Sequence, residues 1–315
     1  MVNKKGIIIP GARKAGTSSL YNLLIKNEEV CMPNFKETQY FSLDRKIIER
    51  NKEWYLKSRN IKNNEKKYWI DASTFYLFDE KAPEKIKYYV DNPKIIIVLR
   101  DRAERTYSAF LEMAKKVSEP EKRDFSRLVK NLSSVVAKDT NLEDAEKKQI
   151  EKAKKNGKIN PNYLGKNYLQ NRINFPDSST FEDKMLVYKY FTNSLYKDHI
   201  SRYKSKMDSV LVVRLENMVN NTKSEIERIF EFLGLENKFA ERLPKRNETK
   251  IPKEWTKSII RAKRSIKPIN EVVSKLMNVS YIQRLVDFMG YSSKKKLDVK
   301  DKKLIEKTFE KELRP

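Results

Sequence analysis

The fold of this chain is decided by one stretch near its start, GIIIPGARKAGTSSL at residues 6–20. Three consecutive isoleucines, from Ile7 to Ile9, predict a short strand that is buried on both faces. A loop with two glycines follows, and leucines then recur at helical spacing from Leu20 onward. A buried strand joined by a short loop to a helix is typical of a parallel sheet covered by helices.

Apolar runs of the same kind return three more times along the chain. They predict strands at Tyr68-Trp69-Ile70-Asp71, at 94–99 and at 209–214. Helices are predicted at 75–90, at 102–116 and from Thr222 onward. In the last helix, Thr222 and Glu225 have the spacing of a capping box, and Gly234 stands where a C-terminal cap is expected.

Strands that alternate with helices in this way indicate an α/β protein. We expect a P-loop-like three-layer fold, in which a central, mainly parallel sheet is flanked by helices. The whole chain, 1–315, is predicted to be a single domain with two unusual segments. Residues at about 115–165 predict a charged helical insertion or lid, and residues at about 245–315 predict a basic helical segment.

Composition excludes several kinds of site. The chain has 315 residues with one His and one Cys, so a zinc site built from His and Cys ligands and an internal disulfide are both impossible. The net charge of +25 implies an anionic partner. The sequence shows no zinc finger, basic zipper or RNP-like motif, so nucleic acid is not the expected partner. We find no run of 18 apolar residues and predict no membrane span, and we expect a soluble, cytoplasmic protein.

The glycine-containing loop has the chemistry of an anion site. Gly11 and Gly16 have the spacing of a phosphate-binding loop, whose backbone N–H groups cradle an anion at a helix N-terminus. In an ATPase the residue after the second glycine is a lysine, but here it is Thr17, and the lysine is Lys14. The only nearby equivalent of a metal-binding aspartate is Asp101, which follows an arginine. These departures argue against an ordinary ATP site.

Four ordered segments resemble the motifs of sulfotransferases that use 3′-phosphoadenosine 5′-phosphosulfate (PAPS). The segments resemble those of the carbohydrate (heparan-type) sulfotransferases and their bacterial relatives more than those of the cytosolic aryl type. The loop 13–20 resembles the family's 5′-phosphosulfate loop, and 99–108 resembles its 3′-phosphate motif. The segment Lys36-Glu37-Thr38-Gln39-Tyr40-Phe41 resembles the segment with the catalytic acid, and 211–217 with 232–235 resembles the late strand and helix.

The resemblance implies a role for each matching residue. Lys14 would stabilise the leaving-group oxygen, and Glu37 would act as general base toward the acceptor. Arg100 and Ser108, eight residues apart, would bind the 3′-phosphate. The donor would be PAPS, the product 3′-phosphoadenosine 5′-phosphate, and no metal would be required. The 5′-phosphosulfate would be held by the loop residues Arg13, Lys14, Ala15, Gly16, Thr17, Ser18 and Ser19.

The expected acceptor is a hydroxyl or amine of a carbohydrate or small molecule. Ala72 and Glu112 stand where heparan-acting enzymes have basic or histidine residues, which weakens the case for a highly sulfated acceptor. His199 is the second candidate for the base, and Arg100 has a structural alternative in pairing with Asp101 or Glu104. Two other functions stay open, a P-loop nucleotide or small-molecule kinase and a non-catalytic basic polyanion-binding protein.

Overall fold

The computed structural model describes residues 5–61, 66–116, 125–126, 129–130, 192–236, 251–252, 291–292 and 296–312. Most of the predicted insertion at about 115–165 and much of the basic segment at about 245–315 lie outside these residues. Within the described part of the chain, no helix is both long and apolar enough to cross a membrane.

Four parallel strands form the central sheet. They are β1 (Lys5–Ile8), β2 (Tyr68–Asp71), β3 (Lys94–Leu99) and β4 (Val210–Arg214). Their order across the sheet is β2-β1-β3-β4, so the first strand lies inside the sheet. Ile8 of β1 lies beside Asp71 on one side and Ile95 on the other. The predicted parallel α/β sheet is confirmed, with strand limits that differ by one or two residues at most.

Helices connect and flank these strands. Their bounds are α1 (Thr17–Leu24), α2 (Arg45–Arg50), α3 (Lys52–Ser58), α4 (Ala82–Tyr89), α5 (Arg102–Lys116), α6 (Tyr196–Lys204), α7 (Leu215–Asn220), α8 (Thr222–Leu233) and α9 (Val299–Glu312). Short 3-10 turns lie at Tyr40–Ser42 and Thr192–Ser194. A second, two-stranded antiparallel sheet joins β5 (Ile251–Pro252) to β6 (Tyr291–Ser292).

The strands form the centre of the hydrophobic core. The isoleucines of the first strand region and those of β3 are completely buried, because the parallel strands are covered on both faces. Leu20 and Leu24 of α1 are also fully buried, as their helical spacing predicts. Burial of this many large side chains holds the carboxyl ends of β1, β2 and β3 together. The loops that leave those ends are therefore placed side by side.

One predicted helix is much shorter than expected. The pattern at 75–90 predicts a helix throughout, but α4 begins only at Ala82. The segment before it turns back, because the Leu77 backbone N–H donates to the Pro10 carbonyl of the first loop. The Asp79 side chain accepts hydrogen bonds from the backbone N–H groups of Lys81 and Ala82, which marks the true helix start.

The predicted capping box at the start of α8 is wrong. The α8 helix is preceded directly by α7, and Asn221 at the junction makes no side-chain cap. The Thr222 hydroxyl instead donates to the Met218 carbonyl of α7 at 2.9 Å, and Glu225 forms an ion pair with Arg228. The predicted C-terminal cap is confirmed, because Gly234 has the left-handed φ of 63° that ends α8.

Candidate active site

The loop between β1 and α1 forms a tight turn into the helix. Gly16 is the residue before α1 and has a φ of +91°, in the left-handed region that favours glycine. A side-chain carbon at this position would lie 2.6 Å from Leu215 Cδ1. Both the backbone and the packing therefore require glycine here. The first N–H groups of α1, including those of Thr17 and Ser18, have no acceptor within the helix and suit an anion.

Two cations of the loop lie against one carboxylate from α5. The Arg13 guanidinium lies 3.1 Å from Glu112 Oε2, and Lys14 Nζ lies 3.6 Å from the same oxygen. Lys14 has a φ of +69°, an uncommon backbone conformation for a residue with a side chain. Burial lowers the pKa of Lys14, and the nearby Glu112 carboxylate opposes that shift. Arg13 also packs over the ring of Phe75.

Arg100 extends the row of cations away from the loop. Its guanidinium donates to the Lys14 carbonyl at 3.3 Å and pairs with Glu104 at 2.9 Å. The structural alternative left open by the sequence is therefore realised with Glu104. Asp101 accepts a hydrogen bond from the Glu104 backbone N–H and so caps α5. Ser108 is almost fully buried, one turn beyond Glu104 on the same helix face.

Glu37 lies on the neighbouring loop and is held on both of its oxygens. Its Oε2 accepts hydrogen bonds from the Thr74 backbone N–H at 2.8 Å and from the Thr74 hydroxyl at 3.1 Å. Its Oε1 lies 2.5 Å from Lys36 Nζ, and the same ammonium group reaches the Thr17 hydroxyl at 3.5 Å. Lys36 therefore connects Glu37 directly to the start of α1.

The buried carboxyl group of Asp71 holds residues next to Glu37 and next to Thr74 through hydrogen bonds. Asp71, at the end of β2, is fully buried and accepts hydrogen bonds from four hydroxyl groups at 2.7 to 2.9 Å. Two of these hydroxyls belong to Thr38, which follows Glu37, and to Ser73, which precedes the Thr74 that donates to Glu37. Burial and the nearby carboxyl group raise the pKa of the other two, Tyr55 and Tyr76, so both stay protonated as donors.

Comparisons with known proteins show the family of the chain. The sulfotransferase domain family matches residues 4–314 of the chain. The chain belongs to the sulfotransferase family. Over 107 residues, 32% of this chain, it is 28% identical to the human bifunctional heparan sulfate N-deacetylase/N-sulfotransferase 3. That match covers only 12% of the human protein. Among solved structures, the sulfotransferase from Alicyclobacillus acidocaldarius is similar in fold, with a TM-score of 0.51 and 19% identity over 78% of this chain and 87% of that one.

The sulfotransferase fold brings most of the predicted site residues together. The loop cations Arg13 and Lys14 and the distant Arg100 form one connected row. Glu37 is joined to the loop through Lys36. His199, the second candidate base, lies on α6 and packs edge-on against Phe78 at 5.5 Å between ring centroids.

Three residues that contact the predicted site residues or their neighbours were not among those predicted. Lys36 and Thr74 contact Glu37 directly, and Asp71 holds the residues beside them. Lys36 stood next to Glu37 in the quoted segment and could have been proposed from its charge. Thr74 and Asp71 carried no signal, since their contacts span 37 and 33 residues and depend on how β2 ends.

Proposed function

We propose that this sulfotransferase moves the sulfuryl group of PAPS to a hydroxyl or amine of a carbohydrate or small-molecule acceptor. One observation carries the proposal. The Lys36 ammonium lies 2.5 Å from Glu37 and 3.5 Å from the Thr17 hydroxyl, so the carboxylate proposed as base lies beside the loop proposed to hold the donor. A base and a donor must be neighbours for the acceptor hydroxyl to reach sulfur.

The loop and the row of cations fit the anionic groups of the donor. The N-terminus of α1 and the residues from Arg13 to Ser19 would hold the 5′-phosphosulfate. Arg100 and Ser108 would bind the 3′-phosphate, with Arg100 placed next to Lys14 by its contact with the Lys14 carbonyl. PAPS supplies a sulfuryl group on a phosphate that is already a good leaving group.

Each catalytic side chain then has one task. Glu37 takes the proton of the acceptor hydroxyl or amine as that atom forms its bond to sulfur. Lys14 neutralises the charge that develops on the phosphate oxygen as the old sulfur–oxygen bond breaks. In-line displacement of this kind resembles phosphoryl transfer, in which positioning and charge stabilisation supply most of the rate. The proton ends on Glu37, and the electron pair of the broken bond stays with the phosphate.

The backbone around these two groups supports a built site. Glu37 and Lys14 both have positive φ values, +62° and +69°, although neither is glycine. Such conformations cost about 1–3 kcal/mol each and persist where the surrounding structure imposes them. Here the hydrogen bonds of Thr74 and the contacts of the loop impose them.

The human relative named above suggests a carbohydrate amine as one acceptor to test.

A ligand-binding experiment tests the proposal without knowledge of the acceptor. The melting temperature of the protein should rise with 3′-phosphoadenosine 5′-phosphate, because a ligand that binds the native state stabilises it by mass action. ATP and ADP with Mg²⁺ should have a smaller effect, and Lys14→Ala should reduce the response to the 3′-phosphorylated nucleotide. A rise with Mg-ATP alone would support a kinase. Steeply salt-dependent binding of polyanions with no nucleotide response would support a basic binding protein.

A further inference from the structure

One helix supplies the counter-ions of all three arginine and lysine side chains proposed to bind the donor. Glu112 of α5 contacts Arg13 and Lys14, and Glu104 of the same helix contacts Arg100. The two acids are eight residues apart, so they lie about two turns apart along the helix. The donor anions would have to approach cations that already have carboxylate partners.

The Glu112 contacts have the geometry of an exchangeable interaction. A single oxygen, Oε2, faces both cations, at 3.1 Å from the Arg13 guanidinium and 3.6 Å from the Lys14 ammonium. The Arg13 and Lys14 side chains are 17% and 20% exposed, and that of Glu112 is 26% exposed. This is enough burial to limit screening by solvent and enough exposure for an anion to reach the two cations.

A donor sulfate or phosphate at Lys14 would lie within a few ångströms of the Glu112 carboxylate. Like charges at such distances repel each other, and the repulsion grows as the local dielectric constant falls. We propose that Glu112 is an intramolecular counter-ion that competes with the donor and product nucleotides for Lys14 and Arg13. The proposal rests on the proposed function for the identity of the nucleotide. It adds a residue that weakens nucleotide binding and so favours product release.

The same Glu112 carboxylate stabilises Arg13 and Lys14 when no nucleotide is bound. Without an anion nearby, Arg13 and Lys14 would repel each other, and the Arg13 charge contributes to the lowered pKa of Lys14. Glu112 balances that repulsion while the site is empty, which agrees with its upward influence on the pKa of Lys14. When product leaves, the same carboxylate is in place to pair again with both cations.

The test compares Glu112→Gln with the wild-type protein by titration calorimetry at about pH 7. Glutamine keeps the side-chain size and an oxygen for Arg13 but removes the negative charge. The variant should bind 3′-phosphoadenosine 5′-phosphate about tenfold more tightly at low salt. The gain should shrink at high salt, because screening weakens the repulsion that was removed. Unchanged or weaker binding would overturn the proposal, and weaker binding would show that Glu112 positions the cations for the nucleotide.

Two controls separate this inference from the proposed function. Glu84→Gln removes one charge from an exposed ion pair with Arg45, outside the site, and should leave nucleotide binding unchanged. Inorganic pyrophosphate is titrated in parallel and should also bind Glu112→Gln more tightly. If neither protein binds the nucleotide but pyrophosphate binding tightens, the proposed function fails and the competition stands. If pyrophosphate and nucleotide binding are both unaffected by the substitution, the competition is refuted.

Discussion

The two halves of the site are held in opposite ways. Glu37 is held by Thr74 and Lys36 and is backed by Asp71, a fully buried carboxyl group with four hydroxyl partners. Among the described residues, the Lys14 side chain has one ion-pair partner, the partly exposed carboxylate of Glu112, at the longer distance of 3.6 Å. A buried network is costly to disturb, whereas a partly exposed ion pair is exchanged readily. The side proposed to hold the base is therefore built to stay fixed, and the side proposed to hold the donor is built to change partners.

The largest effect that this comparison predicts is on turnover. Glu37→Gln should lower the rate of transfer of labelled sulfuryl from PAPS to the acceptor by about 10²–10⁴-fold, because the amide cannot accept the proton. Affinity for 3′-phosphoadenosine 5′-phosphate should stay within a factor of about two, because Glu37 is not one of the groups proposed to hold the nucleotide. Full activity in this variant would place the base elsewhere, with His199 next to be replaced.

The next largest effect is on the free energy of unfolding, which should differ between substitutions at Asp71 and at Glu112. Asp71→Asn should lower the free energy of unfolding by about 3 kcal/mol, because an amide group cannot accept all four hydroxyl hydrogen bonds. Glu112→Gln should change it by no more than about 1 kcal/mol, as for other partly exposed ion pairs. Urea denaturation measures both values, and equal losses would remove the distinction between a fixed and an exchangeable side. Tyr55→Phe is the control that removes one hydroxyl from Asp71.

A smaller stability effect is expected at the turn into α1. Gly16→Ala should cost about 2 kcal/mol, from the left-handed backbone and from the approach to Leu215. In a Leu215→Ala background the same change should cost less, because only the backbone strain is left. Unfolding of the four proteins in urea gives the coupling energy. A coupling close to zero would mean that the packing against Leu215 does not matter.

The smallest effect is a shift in pH dependence. Burial lowers the pKa of Lys14, so this lysine loses its proton at a lower pH than an exposed lysine. Binding of 3′-phosphoadenosine 5′-phosphate should be constant below that pKa and weaken as the pH rises through it. The Lys14→Arg protein keeps its charge and should show no such weakening. Titrations from about pH 7 to 10 compare the two, and parallel curves would contradict the assignment of Lys14 to the donor.

Regular elements were predictable where one local pattern decided them. The five consecutive apolar residues of β3 and the amphipathic pattern of α5 placed both elements at the observed bounds, Lys94–Leu99 and Arg102–Lys116. The segment at 75–81 failed because its residues are drawn into long-range hydrogen bonds, such as that from Leu77 to Pro10. A local pattern cannot report a partner that lies 67 residues away.

The sequence alone determined the kind of fold and the family, since a buried strand, a glycine turn and the ordered motifs are all local features. It also singled out Lys14, Glu37 and Arg100 as residues to examine. Only the tertiary structure decided what surrounds them: the buried carboxyl group of Asp71, which is hydrogen-bonded to Thr38 next to Glu37, and the carboxylate of Glu112 against Lys14. Both arise where separate loops and helices meet at the ends of parallel strands. The charges around the site are thus set by how separate segments pack together, and no single segment of sequence reveals them.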